Sequence, residues 1–252
     1  MTISLSSAAP KMYGNSSNMC KLTSTKSETV KNIVKLKKKS ERDKANLFVV
    51  EGYKLVEEAI GLGIVREIYA VEPYPGARLV TPEVMKKLSS LTTPPGILAV
   101  VAKPSERLTD RILVVENLSD PGNLGTILRT AEAFGFSVGL LGDTVDPYNP
   151  KVVQASMGSI FRTPFAHLDG EMLTGLRARM DIYASALDPN AVAYDAFVYP
   201  EKLAILIGSE SHGLREETLK IATKTLYIPM EGKVESLNAG IAAAIFMQQA
   251  KR

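Results

Sequence analysis

Residues 111–134 read RILVVENLSDPGNLGTILRTAEAF, and this stretch decides the fold class. RILVVEN (111–117) is a short apolar run rich in β-branched residues, the pattern of a buried strand. After a polar turn, GNLGTILRTAEAF (122–134) repeats apolar residues at helical spacing. Leu124, Ile127, Leu128, Ala131 and Phe134 make the expected buried stripe. At about 100° per residue, Arg129 lies nearly opposite that stripe, beside Gly122, Gly125, Thr126 and Ala133. An arginine on a face of small residues leaves room for a ligand near the backbone, although a solvated surface arginine has the same pattern.

The strand–helix alternation continues downstream. FSVGLLG (136–142), MDIYASAL (180–187), LAILIGSE (203–210) and TLYIPM (225–230) read as strands. NPKVVQAS (149–156) reads as a short helix and SLNAGIAAAIFMQQ (236–249) as the final one. This spacing predicts an α/β fold with a mainly parallel sheet covered by helices on both faces. Ligands of such sheets bind where loops leave the carboxyl ends of the strands, here after Glu116, Ile207 and Tyr227. In the second loop, Gly208 ends a strand and is expected to let a ligand approach the backbone, with Glu210 at the sheet's rim. In the third, Ser236 reads as an N-cap. The helix after it is apolar from Leu237 to Met247 except at Asn238, as expected of a helix buried on every side in a core or subunit interface. Asn238 in that setting is costly unless paired.

Upstream, KPSERLTD (103–110) is polar, contains Pro104 and reads as a domain boundary. Before it, LFVVEG (47–52), IVREIYAV, ARLVTP and GILAVVA read as β segments, and YKLVEEAIGLG (53–63) and VMKKLSSL as helices, together a small α/β unit. Residues 27–44 read as one helix, with Val30, Ile33, Val34 and Leu36 on its apolar side. Residues 1–20, rich in Ser, Ala and Asn, read as a flexible tail, with Met12 or Met19 as alternative starts.

Charge is distributed unevenly. Residues 1–50 hold 10 Lys+Arg against 3 Asp+Glu, while the remaining 202 residues hold 20 against 24. The block KNIVKLKKKSERDK (31–44) therefore points to a polyanion partner through Lys31, Lys35, Lys37, Lys38, Lys39 and Arg42, unless it is simply a solvated helix face.

Composition narrows the remaining classes. The 252 residues are 45% hydrophobic and 23% charged, as in ordinary globular chains, and long enough to bury a core without staples. One cysteine, Cys20, excludes an intramolecular disulfide framework, and two histidines exclude a multi-histidine metal centre. No apolar run reaches the roughly 18 residues of a transmembrane helix, and the start makes a poor signal peptide. The expected location is the cytoplasm. The dinucleotide and P-loop glycine patterns, H-E-x-x-H and G-x-S-x-G are all missing, which disfavours dehydrogenases, P-loop NTPases, zincins and α/β-hydrolases.

The loops fit another pattern. N-x-x-D-P-x-N-x-G-x-I-x-R-T at 117–130, G-x-E-x-x-G-L at 208–214 and I-P-M…E-S-L-N at 228–238 resemble the SpoU/TrmH branch of the SPOUT superfamily. These are RNA 2′-O-ribose methyltransferases that use S-adenosylmethionine. The resemblance spans 111–249, including VVQASMGSIFRTP (152–164); the basic N-terminal unit, with FVVEG (48–52), looks like the family's small substrate-binding domain. Ser211 departs from the glycine often found there.

The resemblance implies a C-terminal SPOUT domain (111–252) with a deep trefoil knot, joined by 104–110 to an N-terminal RNA-binding domain (21–103). It implies that Gly208, Ile228 and Leu237 contact the methyl donor, with Met230 a neighbour. Arg129 corresponds to the catalytic arginine, and Asn123, Glu210, Ser236 and Asn238 match the remaining site positions. It also implies a homodimer through the knotted region, no metal and no membrane. Large-subunit (23S-type) rRNA is favoured over tRNA because of the extra domain. A non-catalytic RNA-binding member of the fold, and an unrelated nucleotide-binding α/β enzyme, are the competing classes.

Overall fold

A computed structural model describes residues 21–196, 198–209, 211–234 and 236–251. Residues 1–20, read above as a tail, lie outside the described residues.

The N-terminal part runs α1 (Glu28–Lys35), α2 (Lys39–Ala45), β1 (Leu47–Glu51), α3 (Tyr53–Gly61), β2 (Val65–Ala70), β3 (Arg78–Leu79), α4 (Pro82–Leu88) and β4 (Ile97–Ala102). Its sheet has the order β1-β4-β2-β3, with β4 antiparallel to both neighbours. Alternation along β4 explains the layers. Leu98 and Val100 face Val30 and Ile33 of α1 and Val84, Met85 and Leu88 of α4. Ile97, Ala99 and Val101 join Val56 and Ala59 of α3 on the other side.

The single helix expected over 27–44 is two. Ser27 caps α1, whose residues 28–35 bury Val30 and Ile33, and the chain breaks at Leu36–Lys38 before α2. Arg42 ties the break together: its Nη1 donates to the carbonyls of Leu36 and Lys37, both at 2.8 Å. In one continuous helix those acceptors would have served the helix ladder instead.

The C-terminal part runs β5 (Arg111–Glu116), α5 (Pro121–Phe134), β6 (Ser137–Leu141), α6 (Pro150–Ala155), α7 (Ser159–Arg162), β7 (Phe165–Leu168), α8 (Gly170–Leu176), β8 (Asp181–Ser185), β9 (Val192–Ala193), β10 (Leu203–Ile207), α9 (Glu216–Leu219), β11 (Lys224–Tyr227) and α10 (Ala239–Ala250). The sheet order is β7-β6-β5-β10-β8-β11-β9, with every pairing parallel. Leu113, Val115, Ile205 and Ile207 pack with Leu124 and Ile127 of α5 and Phe246 of α10. Ile112, Val114, Ala204 and Leu206 pack with Leu173 and Leu176 of α8. Both faces of the central strands are thus buried, and the expected α/β architecture is observed.

Segment 103–110 forms no helix or strand and is bonded to β7: Arg107 N donates to Phe165 O at 3.0 Å, and Glu106 accepts from His167 N at 3.0 Å. The two parts share one core, with the rings of Phe48 and Tyr148 4.7 Å apart.

Two details of the helices differ from expectation. Gly125 is buried on α5, where an added Cβ would lie 2.4 Å from the Ala155 Cβ, so it serves helix packing and leaves no room for a ligand. The last helix starts at Ala239, with Asn238 as N-cap in place of Ser236. It is not buried all round, because Ile241 is 54% exposed. No helix among the described residues is long and apolar enough to cross a membrane.

Candidate functional site

The carboxyl ends of β8, β10 and β11 surround a cavity of about 230 Å³. Apolar walls come from Ile207, Leu226, Ile228 and Leu237, with Met230 and Ala242 alongside, and polar edges from Ser185, Ser209 and Ser236. Gly208 also borders it. The structure thus brings Gly208, Ile228, Met230, Ser236 and Leu237 together, positions drawn from two loops of the sequence. It adds a wall that motif reading missed: Ser185, Ala186 and Leu187 follow β8. Because β8 is parallel to β10, its loop leaves at the same sheet edge, so the strand-end rule already pointed there.

Gly208, besides bordering the cavity, is needed by the loop's own turn. A Cβ placed on it would fall 2.0 Å from Gly213 C and 2.3 Å from Leu214 N. The loop closes on this glycine as a tight turn, with Gly213 N donating to Ser209 O at 2.9 Å. Glu210 lies outside the described residues.

The turn is strapped to β5 by Glu116, which is fully buried. Its carboxylate accepts from Arg215 N at 2.9 Å, Arg215 Nε at 2.6 Å and Thr218 Oγ1 at 2.7 Å. The buried charge is therefore satisfied, and hydrogen bonding to Glu116 raises the Arg215 guanidinium above its ordinary pKa. Sequence reading treated Glu116 only as a strand end, since its partners stand 99 and 102 positions away.

The first motif builds the neighbouring helix. Asn117 takes the left-handed region (φ 53°) and its Oδ1 accepts from Asp143 N at 2.8 Å. Asp120 caps α5 by accepting from Asn123 N at 2.7 Å, and Pro121 starts the helix. Asn238 Nδ2 then donates to Asn123 Oδ1 at 2.9 Å, while Asn238 Oδ1 caps α10 through Gly240 N at 2.9 Å. Asn238 is thereby paired, and it joins the cavity's third loop to α5. Arg129, two turns along, is exposed and makes no hydrogen bond or ion pair among the described residues. It stands between Gly125, which meets α6, and Thr126, which approaches Gly240 of α10.

The basic block is divided. Lys31, Lys35, Lys37, Lys38 and Lys39 are exposed. Lys37 donates its ammonium to Ser89 O at 2.6 Å and Lys87 O at 3.2 Å, and burial lowers its pKa against a smaller opposing effect of Glu51. Arg42 is 3% exposed and ion-paired with Asp146, so the expectation that it points outward at RNA is overturned. Four of its five guanidinium N–H groups are bonded inside the protein.

The model of the SpoU rRNA Methylase family matches residues 110–248, and an MRM3-like substrate binding domain matches 27–99. The chain belongs to the SpoU family. Among SpoU relatives, a 23S rRNA (guanosine(2553)-2′-O)-methyltransferase of Bacillus subtilis is 34% identical over 91% of this chain and 98% of its own length. An S-adenosylmethionine-bound rRNA methyltransferase from Sinorhizobium meliloti superposes with a TM-score of 0.82 at 29% identity, covering 92% of this chain and 97% of that one. A putative TrmH-family RNA methyltransferase from Porphyromonas gingivalis gives 0.79 at 32% identity, covering 89% and 97%. Among the described residues no group of His, Cys, Asp and Glu side chains is placed to hold a metal ion.

Proposed function

We propose that this SpoU chain transfers a methyl group from S-adenosylmethionine to a ribose 2′-hydroxyl of large-subunit rRNA. The observation that carries the reading is the junction of the cavity with α5: Asn238 closes the pocket's third loop and bonds Asn123, on the helix that presents Arg129. Full-length similarity to the B. subtilis 23S rRNA enzyme and the match to a substrate-binding domain support rRNA over tRNA.

The cavity fits the donor chemically. Its apolar walls suit an adenine ring, and loop backbone with three serines supplies hydrogen-bonding edges for ribose and carboxylate. Once bound, S-adenosylmethionine supplies an activated methyl on a sulfonium. The chain's own residues must hold the acceptor ribose in line and stabilise charge on its oxygen. Arg129 is always protonated, so it serves as a clamp on the adjoining phosphate and on the developing alkoxide rather than as the base. Asn123 and Asn238 orient this region, Ser236 faces the donor, and Glu210 completes the constellation. Lys31, Lys35, Lys38 and Lys39 grip the RNA backbone.

Three further points belong to the same reading. The segments around the cavity form the family's trefoil knot. The exposed Ile241 side of α10 pairs with a second copy, giving a homodimer measurable by light scattering. The enzyme works in the cytoplasm, beside its rRNA. Ribose-methylation mapping of rRNA from cells with and without the protein tests the function: one large-subunit site should disappear. An unchanged map would refute the proposal.

A further inference from the structure

Arg42 sits where three segments meet. Nη1 serves the Leu36 and Lys37 carbonyls, while Nε, at 3.1 Å, and Nη2 both bond Asp146 Oδ2. The side chains of the pair are 4% and 8% exposed. The other Asp146 oxygen accepts from Tyr148 N at 3.0 Å. The 142–149 loop is stitched to the approach of α5: Asp143 N reaches Asn117 Oδ1 at 2.8 Å, and Val145 N reaches Leu118 O at 2.8 Å. Two residues later Asp120 caps the helix of Arg129. Hydrogen bonds therefore run in series from the lysine-bearing turn at 36–39 to α5. A second tie lies alongside, where Arg162 pairs with Glu132 on α5 and with Glu58 on α3.

We propose that Arg42 is a positioning residue that fixes the basic turn against the 142–149 loop and so sets the span between the RNA-gripping lysines and Arg129. This rests on the rRNA methyltransferase reading. Four of the five guanidinium N–H groups are bonded inside the protein and the side chain is 4% exposed, so its charge does not work by touching RNA. A planar fork can serve carbonyls and a carboxylate in different directions, which an ammonium on a flexible stem cannot. Buried ion pairs add little net stability, yet they favour one geometry over its neighbours. Here the geometry selects which ribose arrives at the pocket when the backbone is held by Lys38 and Lys39.

The test uses the full chain with Arg42→Gln, Asp146→Asn, the double variant and Arg42→Lys. Single-turnover methylation of a large-subunit rRNA fragment is measured beside RNA affinity and S-adenosylmethionine affinity. Each single variant is expected to lose about 10²-fold in rate with both affinities unchanged, because small misplacement of reactants is that costly. The double variant should be no slower than the slower single, and Arg42→Lys should not restore the rate. An unchanged rate, an RNA affinity that falls in step with the rate, or a loss of donor affinity would each overturn the inference. A readout free of catalysis separates its failure from that of the functional reading. Spin labels at Lys38→Cys and Ala133→Cys, in a Cys20→Ser background, should give a narrow distance distribution that broadens in Arg42→Gln and Asp146→Asn. An identical distribution in these variants overturns the inference whatever the RNA result.

Discussion

Asn238, the N-cap of α10, donates its amide to Asn123 on α5 across 2.9 Å, although 115 positions separate them in the chain. The same side chain accepts from Gly240 N and Ile241 N, so one residue both caps a helix and fastens it to its neighbour. Two substitutions separate these roles. Asn238→Asp keeps the accepting oxygen and loses the donor, so the melting temperature should stay near wild type while methyl transfer falls. Asn238→Ala loses both, and the missing cap should cost about 1 kcal/mol in denaturant unfolding. Equal activity of Asn238→Asp and wild type would count against the fastening role.

Arg129→Ala should keep the fold and the affinity for S-adenosylmethionine, because the side chain is exposed and bonded to nothing among the described residues. Turnover should fall by about 10²–10³, the usual cost of one preorganised charge-stabilising donor. Calorimetry with the donor and single-turnover kinetics check the two halves.

Gly208→Ala should damage the pocket from within. Its new Cβ would fall 2.0 Å from backbone at Gly213, which cannot yield as a flexible side chain can. Donor affinity and thermal stability should drop together. A variant that loses donor affinity at wild-type stability would favour direct contact with the ligand, the role expected from sequence.

Lys38→Ala with Lys39→Ala should weaken RNA binding and flatten its salt dependence. Each phosphate contact contributes about 0.7–0.9 to the slope of log K against log salt, so two contacts remove roughly 1.5. Donor affinity should not change. Titration of an rRNA fragment at several salt concentrations reads the slope, and an unchanged slope would leave these lysines as a solvated surface.

Alkaline titration should reveal Tyr69, Tyr148 and Tyr199 late. Burial raises each phenol well above its ordinary pKa of 10.0. A pKa raised on folding contributes stability that is fully present below the ordinary value and is lost as pH rises towards the raised one. Tyrosinate absorbance should therefore show these three only as the chain unfolds, above pH 10. Smooth ionisation of every tyrosine without unfolding would contradict their burial.

Much of this was legible in the sequence. RILVVEN, FSVGLLG and LAILIGSE carried enough continuous apolar character to mark β5, β6 and β10, and the three motifs marked two sides of the cavity. What escaped depends on partners far along the chain. Arg42 looks like its lysine neighbours until Asp146, 104 positions away, is placed beside it. Ser236 is as good a cap as Asn238 on composition, and only the position of Asn123 distinguishes them. Gly125 read as open space because sequence does not reveal that α6 crosses there. The short elements β7, β9, α7 and α9 span two to four residues, too few for any periodicity to register.

The strand order also bears on how the chain is made. β5 pairs with β6, which follows it closely, and with β10, whose register begins at Leu203↔Arg111. A ribosome therefore delivers β5 and β6 long before the strand that covers the other edge of β5. During that interval the edge presents unpaired amides flanked by Ile112, Val114 and Val115, an apolar template for strands of other nascent chains. Long-range parallel pairing is also slow to form. Truncated messages ending before Leu203 should thus yield chaperone-bound or aggregated product, whereas the complete chain stays dispersed.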